Sequence, residues 1–127
     1  MLISVDFASP TPIYTQLRDQ VVIGIASRAL LPGEALPSVR RLAADIGVHA
    51  HTVNKAYTML RDEGFIAIDR RSGCYVSPAI PPADTQFQQA LREQLLPILA
   101  SAKCRGMNAE SIQSICNEID KKLEDAS

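Results

Sequence analysis

Two histidines separated by one residue, His49 and His51, are the side chains whose type and spacing first suggest chemistry in this 127-residue sequence. An imidazole nitrogen can bind a zinc ion, and it can also hydrogen-bond a base or a phosphate of nucleic acid. No third ligand lies nearby in the sequence to complete a metal site. The pair therefore favours a polar contact surface, with a metal site as the alternative.

Two arginines, Arg40 and Arg41, precede the histidines. Neighbouring residues on a helix point about 100° apart, so at least one of these side chains must face solvent. From the residues alone, Arg40 can belong to a solvated helix face with surface ion pairs to Asp45.

No catalytic constellation accompanies these residues. The sequence has no G-x-S-x-G motif, no glycine-rich phosphate loop and no paired catalytic carboxylates. Cys74, Cys104 and Cys116 are odd in number and form no C-x-x-C pair, which argues against a disulfide framework and a thiolate zinc site. Each is interpreted as a small buried hydrophobe, with a redox-sensing thiol as the alternative. We expect no enzyme, no metal and no cofactor.

Composition restricts the class of protein further. With 46% hydrophobic residues, the chain can build one modest core and an accessory element, but no barrel and no doubly wound dehydrogenase. A formal net charge of -1 means that any nucleic-acid surface must be local. No apolar stretch is long enough for a bilayer, and the N-terminus lacks the pattern of a secretory leader. The sequence predicts a soluble, cytoplasmic protein without membrane contact.

Pro78, Pro81 and Pro82 predict a stiff connector over residues 78–83, between one module of residues 1–77 and another of residues 84–127. From residue 12 to 78, eight basic residues stand against six acidic ones; from residue 79 onward, five stand against seven. The positive charge therefore belongs to the first module, as a DNA-binding domain requires.

Apolar residues at helical spacing predict three helices in the first module. The first begins at the hydroxyl cap Thr11 and runs to about Ala29. The second is capped by Ser38 and runs through Ile46, and the third follows a short turn that begins at Gly47. Two helices joined by a short, glycine-containing turn form a helix-turn-helix.

An alternating pattern replaces the helical one after Gly64, where residues 65–68 and 74–76 flank a turn over residues 69–73. A helix-turn-helix followed by such a hairpin describes a winged helix. Arg70 and Arg71 lie at the hairpin tip beside Gly73, which suits a narrow minor groove or a phosphate, although a charged tip can also serve solubility alone.

The first module resembles the DNA-binding head of the bacterial GntR family of transcription regulators over about residues 10–77. The remaining residues are too few for a large effector domain and look like the YtrA-type subfamily, in which two C-terminal helices serve mainly to dimerise. The resemblance implies that Arg40 contacts DNA. It is carried by Pro12-Ile13-Tyr14, Gln16-Leu17, Leu31-Pro32-Gly33, Leu36-Pro37-Ser38-Val39-Arg40-Arg41-Leu42-Ala43, Thr52-Val53-Asn54-Lys55-Ala56-Tyr57 and Glu63-Gly64-Phe65-Ile66.

A helix-turn-helix presents its turn and the N-terminal half of its second helix to DNA. The family commonly has Arg or Pro where this chain has Ala50, so we expect base specificity to rest on His51, Asn54 or a thymine-methyl contact from Ala50. Thr52 and Lys55 suit phosphate. The DNA-contacting set is predicted to be Ser38, Arg40, Arg41, His49, Ala50, His51, Thr52, Asn54, Lys55, Arg70, Arg71 and Gly73.

The C-terminal module is predicted to hold two amphipathic helices, separated at Gly106, with Asn108 capping the second and Pro97 kinking the first. Two short helices cannot bury their apolar stripes alone. They need the head or another copy of the chain, and a symmetric partner is the commoner solution. The predicted dimerisation residues are Phe87, Leu91, Leu95, Ile98, Leu99, Ile112, Ile115, Ile119 and Leu123.

The predicted fold class is mainly α with a small β-hairpin: a winged helix-turn-helix head over residues 1–77 and an antiparallel helical hairpin over residues 84–127. The predicted function is a homodimeric, sequence-specific regulator, a repressor, on a pseudo-palindromic operator of double-stranded DNA. The alternative is a winged-helix protein-interaction module that binds no DNA. A small-molecule effector, if there is one, is expected between the head and the tail helices, because the tail has no polar cluster.

Overall fold

The computed structural model describes residues 3–125, and these form five helices and a two-stranded antiparallel sheet. They divide into two compact units, a head of residues 3–80 and a tail, Pro81–Asp125. The predicted class, mainly α with a small hairpin, is confirmed. The elements are α1 Ile13–Ala26, α2 Val39–Ile46, α3 Ala50–Asp62, β1 Ile66–Asp69, β2 Gly73–Val76, α4 Thr85–Cys104 and α5 Ala109–Asp125.

Helix α3 is the centre of the head, because α1, α2 and β1 all pack against it. Its residues Val53, Ala56, Tyr57 and Leu60 are completely buried. Removing such side chains from water is the main favourable contribution to folding. The other buried apolar residues of the head are Leu17, Val21, Leu30, Leu36, Leu42, Ala43, Ile66, Cys74 and Val76.

The helix-turn-helix has the predicted ends. The Ser38 hydroxyl accepts a hydrogen bond from the Arg41 N–H at 3.2 Å, which caps α2. Gly47 ends α2 with φ of 74°, a left-handed conformation that costs a residue with a Cβ atom energy. Residues 47–49 then connect α2 to α3. This tight turn fixes the direction in which α3 leaves α2.

Helix α1 differs from the prediction at both ends. Its N-cap is Pro12, which provides no side-chain cap, and the carbonyl of Thr11 instead accepts a hydrogen bond from the Gln16 side chain. The helix ends at Ala26 rather than near Ala29, because Arg28 adopts a left-handed φ of 64°. That reversal lets the Leu30 N–H bond the Gly24 carbonyl at 2.9 Å and brings Leu30 into the core. Burial of Leu30 therefore overrides local helix propensity.

The segment before α2 pairs with the hairpin, a contact that the sequence did not predict. Ala35 forms an isolated antiparallel bridge with Tyr75 of β2. The Leu36 N–H donates to the Cys74 carbonyl at 2.8 Å, and the Val76 N–H donates to the Glu34 carbonyl at 2.9 Å. Both long edges of β2 are therefore hydrogen-bonded, one to β1 and the other to residues 33–36.

The tail helices begin at side-chain caps. The Asp84 carboxylate accepts from the Phe87 N–H at 2.7 Å, and the Asn108 side chain, as predicted, accepts from the Ser111 N–H at 2.8 Å. Helix α4 continues through Pro97, and the kink there stays a prediction. No residue of α4 is buried. Among residues 3–125, no helix is both long and apolar enough to span a bilayer.

Tyr57 combines full burial with one hydrogen bond, which its hydroxyl donates to the Pro37 carbonyl at 2.7 Å. Burial raises the pKa of Tyr57 above its usual value of 10.0, and the nearby Cys74 thiol adds to this effect. A phenolate could neither donate this bond nor be solvated in the core. The hydroxyl thus links the segment before α2 to the middle of α3.

We expect Tyr57→Phe to lower the free energy of unfolding by about 1 kcal/mol at neutral pH, because the Pro37 carbonyl loses its donor. The variant should also lose less stability in alkali. The folded pKa is raised, so the stabilisation from Tyr57 is complete below pH 10.0 and declines above it as the unfolded chain ionises. Urea unfolding from about pH 8 to about pH 11, a range that spans the tyrosine pKa of the unfolded chain, measures both effects. Parallel pH profiles for the two proteins would contradict the assignment; Cys74, whose pKa burial also raises, is common to both.

Candidate nucleic-acid interface

The two faces of α3 have opposite environments. Val53, Ala56, Tyr57 and Leu60 face the core, whereas His51, Asn54 and Lys55 are exposed, as are His49 and Ala50 before them. Thr52 is half-buried. The N-terminal half of α3 therefore presents imidazole, amide and ammonium groups to solvent, the side-chain chemistry that reads base edges and phosphates.

The start of α3 has free backbone donors. The N-cap residue His49 makes no side-chain hydrogen bond to the helix. Its carbonyl accepts from the N–H groups of Thr52 and Val53. Within residues 3–125, no hydrogen-bond acceptor meets the N–H groups of Ala50 and His51. Exposed N–H groups at a helix start, together with the helix dipole, favour an anion such as phosphate.

Lys55 is held by an aromatic ring from another helix. Its Nζ lies 3.9 Å from the centroid of the Tyr14 ring, on the first turn of α1. Such a cation–π contact restricts the long side chain and leaves its charge in place. The Tyr14 ring thus holds the Lys55 ammonium, a contact that the sequence did not predict, since nothing in the local pattern indicates a contact between residues 41 positions apart.

The other end of α3 is fixed by Arg18 of α1. The guanidinium donates to both carboxylate oxygens of Glu63, at 2.8 and 3.0 Å, and contacts Asp19 at 3.0 Å. Its carbon Cζ lies 5.7 Å from the centroid of the Phe65 ring. The hydrogen bond with Glu63 is the largest cause of a raised pKa for Arg18. A bidentate pair of this kind restricts orientation, so it fixes the C-terminal end of α3 against α1.

The two arginines of α2 are both exposed. Arg41 makes a loose ion pair with Asp45, with Nε and Oδ2 3.9 Å apart, as expected for residues four apart on a helix. The ion pair with Asp45 that the sequence suggested for Arg40 is therefore made by Arg41. Among the described residues, the Arg40 side chain has no ion pair, so its guanidinium is available to a ligand.

The hairpin carries the remaining predicted contacts at its tip. Strands β1 and β2 pair from Ile66 with Val76 to Asp69 with Gly73, which leaves Arg70, Arg71 and Ser72 as the loop. These residues and Gly73, whose φ is 78°, are exposed. The tip therefore presents two cations to solvent. In residues 3–125, no group of three or more His, Cys, Asp or Glu side chains is arranged to hold a metal ion.

The tail exposes most of its predicted apolar stripes. Phe87 is 55%, Ile98 62% and Ile119 56% exposed, and Leu91, Leu95, Leu99 and Ile115 are exposed as well. Ile112 and Leu123 are half-buried. Helices α4 and α5 do not pack on each other in the way that α1 and α2 pack on α3. The tail alone therefore leaves a large apolar surface in water, the signature of an interaction surface.

The helix-turn-helix and the paired hairpin define a winged-helix regulator of the DNA-binding class. The family model of bacterial regulatory proteins, gntR family, matches residues 13–76. This chain belongs to the GntR family of transcription regulators, and it is not an enzyme.

Relatives extend the similarity over the tail. The HTH-type transcriptional repressor YtrA of Bacillus subtilis is 34% identical over 97% of this chain and 95% of its own length. Among solved structures, YtrA from Sulfolobus acidocaldarius, a GntR-family transcription factor, is 41% identical over 76% of this chain and 95% of that one, with a TM-score of 0.63. A transcriptional antiterminator from Listeria monocytogenes, 23% identical, matches 98% of this chain and 93% of its own with a TM-score of 0.90, which supports the fold alone. The predicted resemblance to the YtrA type is confirmed.

We expect Tyr14 and Lys55 to be energetically coupled. In a double-mutant cycle with Tyr14→Leu and Lys55→Met, the coupling free energy should be about 0.5–1 kcal/mol, the size of an exposed cation–π contact. Tyr14→Phe should retain it, because the ring and not the hydroxyl holds the ammonium. Chemical unfolding of the four proteins measures the coupling. Strictly additive effects would show that the Lys55 ammonium does not use the ring.

Proposed function

We propose that this chain is a homodimeric repressor of transcription that binds a pseudo-palindromic DNA operator. One recognition helix, α3, enters the major groove of each half-site, and the hairpin tip contacts the adjacent backbone or minor groove. The observation that carries the proposal is the exposed N-terminal half of α3, with His51, Asn54 and Lys55 beside free N–H donors. The similarity to the repressor YtrA supports the direction of regulation.

The charge distribution also supports DNA over a protein partner. Arg40, Arg70 and Arg71 have no ion pair among the described residues, although the whole chain has a net charge of -1. A module that contacts only protein would use these three guanidinium groups only against an acidic partner. Phosphate contact gains from each of them, because every neutralised phosphate releases condensed counterions.

The exposed stripes of the tail support dimerisation. Phe87, Leu95 and Ile119 are exposed in the single chain. Keeping their apolar surface in water costs free energy, which burial in an interface would recover. A second copy offers the same stripes around a two-fold axis, which also matches the symmetry of a pseudo-palindrome. The small-molecule effector stays a prediction from the sequence.

We expect Arg40→Ala and Arg71→Ala to weaken binding to all DNA sequences alike. Each removes one phosphate contact per protomer, two per dimer, so each should reduce the slope of log affinity against log salt by about 1.8. Arg61→Ala is the matched control, because Arg61 is also exposed but pairs with Asp62 near the C-terminal end of α3. Mobility shifts over a salt series on operator and random DNA measure the slopes. Unchanged slopes in both variants would refute these contacts, and a wild-type protein that binds no DNA at low salt would favour a protein-interaction module.

Substitutions on the exposed face of α3 should change which bases are preferred. We expect His51→Ala or Asn54→Ala to lose about 1–3 kcal/mol for the base that the side chain reads, and to relax selectivity at that position. Selection from a random DNA library gives the consensus of each variant. Arg40→Ala serves as the reference and should retain the wild-type consensus. An identical consensus for all of these proteins would rule out His51 and Asn54 as base readers.

The tail should hold the dimer together. We expect Leu95→Asp and Ile119→Asp to give monomers, because an unpaired carboxylate in an apolar interface is costly. Truncation after Val76 should also give a monomer, because it removes the tail and its apolar stripes. Loss of the dimer should reduce operator affinity about 10²-fold or more, since the second half-site is no longer bound intramolecularly. Ala100→Asp, on the opposite face of α4 by helical spacing, is the matched control. If sedimentation finds the truncated chain still dimeric, or the charged variants unchanged in mass, the interface lies elsewhere.

A further inference from the structure

The tip of the hairpin contains an acidic residue between the strand and its arginines. The Asp69 carboxylate accepts a hydrogen bond from the backbone N–H of Arg71 at 2.8 Å through Oδ1. Its second oxygen, Oδ2, lies 3.4 Å from the Ser72 hydroxyl. The three-residue loop then closes at Gly73 in the left-handed conformation. Asp69 is therefore the side chain that closes this turn.

An acidic side chain is unfavourable beside a surface that binds phosphate, because the two negative charges repel. Asp69 does not offset this by pairing with its neighbours. Among the described residues, the arginines in ion pairs are Arg18, Arg41 and Arg61, and neither Arg70 nor Arg71 is one of them. The carboxylate is engaged by the turn, and both guanidinium groups at the tip stay available.

We propose that Asp69 is a positioning residue for DNA binding: it orders the backbone at Arg71 before DNA is present, so that binding does not have to order it. The inference rests on the proposed function, since it assumes that the hairpin tip contacts DNA. A bound loop that is already ordered in the free protein loses less conformational entropy on binding. The carboxylate oxygen of Asp69 that accepts from the Arg71 N–H provides this order. The negative charge of the same carboxylate repels phosphate and weakens binding.

Two substitutions separate the oxygen from the charge. Asp69→Ala and Asp69→Asn both remove one negative charge, but asparagine keeps an oxygen that can accept from the Arg71 N–H. If Asp69 orders the turn, Asp69→Ala should bind operator about 25-fold or more weakly than the wild type, from the cost of ordering one residue in each protomer of the dimer. Asp69→Asn should bind at least as tightly as the wild type. Equal tightening by both variants would overturn the proposal, because Asp69 would then act only by repulsion.

A double-mutant cycle tests whether Asp69 acts through Arg71. In protein that already carries Arg71→Ala, the further change Asp69→Ala should no longer weaken operator binding, because only the relief of charge repulsion remains. Arg61→Ala is the matched background, in which Asp69→Ala should keep its full effect. If Asp69→Ala weakens binding equally in both backgrounds, its influence does not pass through Arg71, and the proposal is wrong.

The order of the turn can also be measured without DNA. In the free full-length protein, hydrogen exchange of the Arg71 amide should be slow in the wild type and in Asp69→Asn, and faster in Asp69→Ala. Equally fast exchange in all three would refute the ordered turn. If the wild type binds no DNA, the proposed function and this inference both fail. If the wild type binds DNA and Asp69→Ala binds equally well, only this inference fails.

Discussion

The burial of one face of α3 is the constraint on which the head depends. Val53, Ala56, Tyr57 and Leu60 are inaccessible to solvent, and three other elements pack around them. Because side chains project in all directions around a helix, burial of this face forces the opposite face outward. His51, Asn54 and Lys55 are exposed for this reason, so the same packing that stabilises the head also presents the residues that would read DNA.

Different kinds of interaction hold α3 at different points along its length. The hydroxyl of Tyr57 bonds the Pro37 carbonyl near the middle, the carboxylate of Glu63 bonds Arg18 at the end, and the ring of Tyr14 contacts Lys55 near the start. Apolar packing decides which face of α3 is buried, but because it is non-directional it restricts small rotations of the helix less than directional contacts do. These three polar or aromatic contacts are directional, so together they fix both the rotation and the tilt of α3.

Much of the fold could be predicted because local signals agreed with tertiary packing. Ser38 and Gly47 end α2 where the sequence indicates, and Asp69 and Gly73 bound the loop of the hairpin. The end of α1 could not be read in this way, because Arg28 adopts a left-handed conformation that its residue type disfavours and the buried Leu30 requires. Local sequence patterns do not show which side chains the rest of the core will bury.

In the candidate site, too, features set by the local sequence could be predicted, and contacts between distant segments could not. Exposure of His51, Asn54 and Arg40 follows from helical spacing, so the sequence could place these residues on the surface. The contact between Tyr14 and Lys55 and the pairing of residues 33–36 with β2 join segments about 40 residues apart, and no periodicity encodes them. The sequence therefore identified which side chains face outward, but not which neighbours hold them.

The pairing of residues 33–36 with β2 has a mechanical consequence. It joins the hairpin to the segment that leads into Ser38, the residue that caps α2, through backbone bonds of 2.8 to 2.9 Å. These bonds hold the start of α2 at a set distance from the hairpin. If both contact DNA as proposed, a duplex whose groove width does not match that distance would have to bend or narrow to fit, so the stiffness of the DNA, as well as its bases, would contribute to its selection.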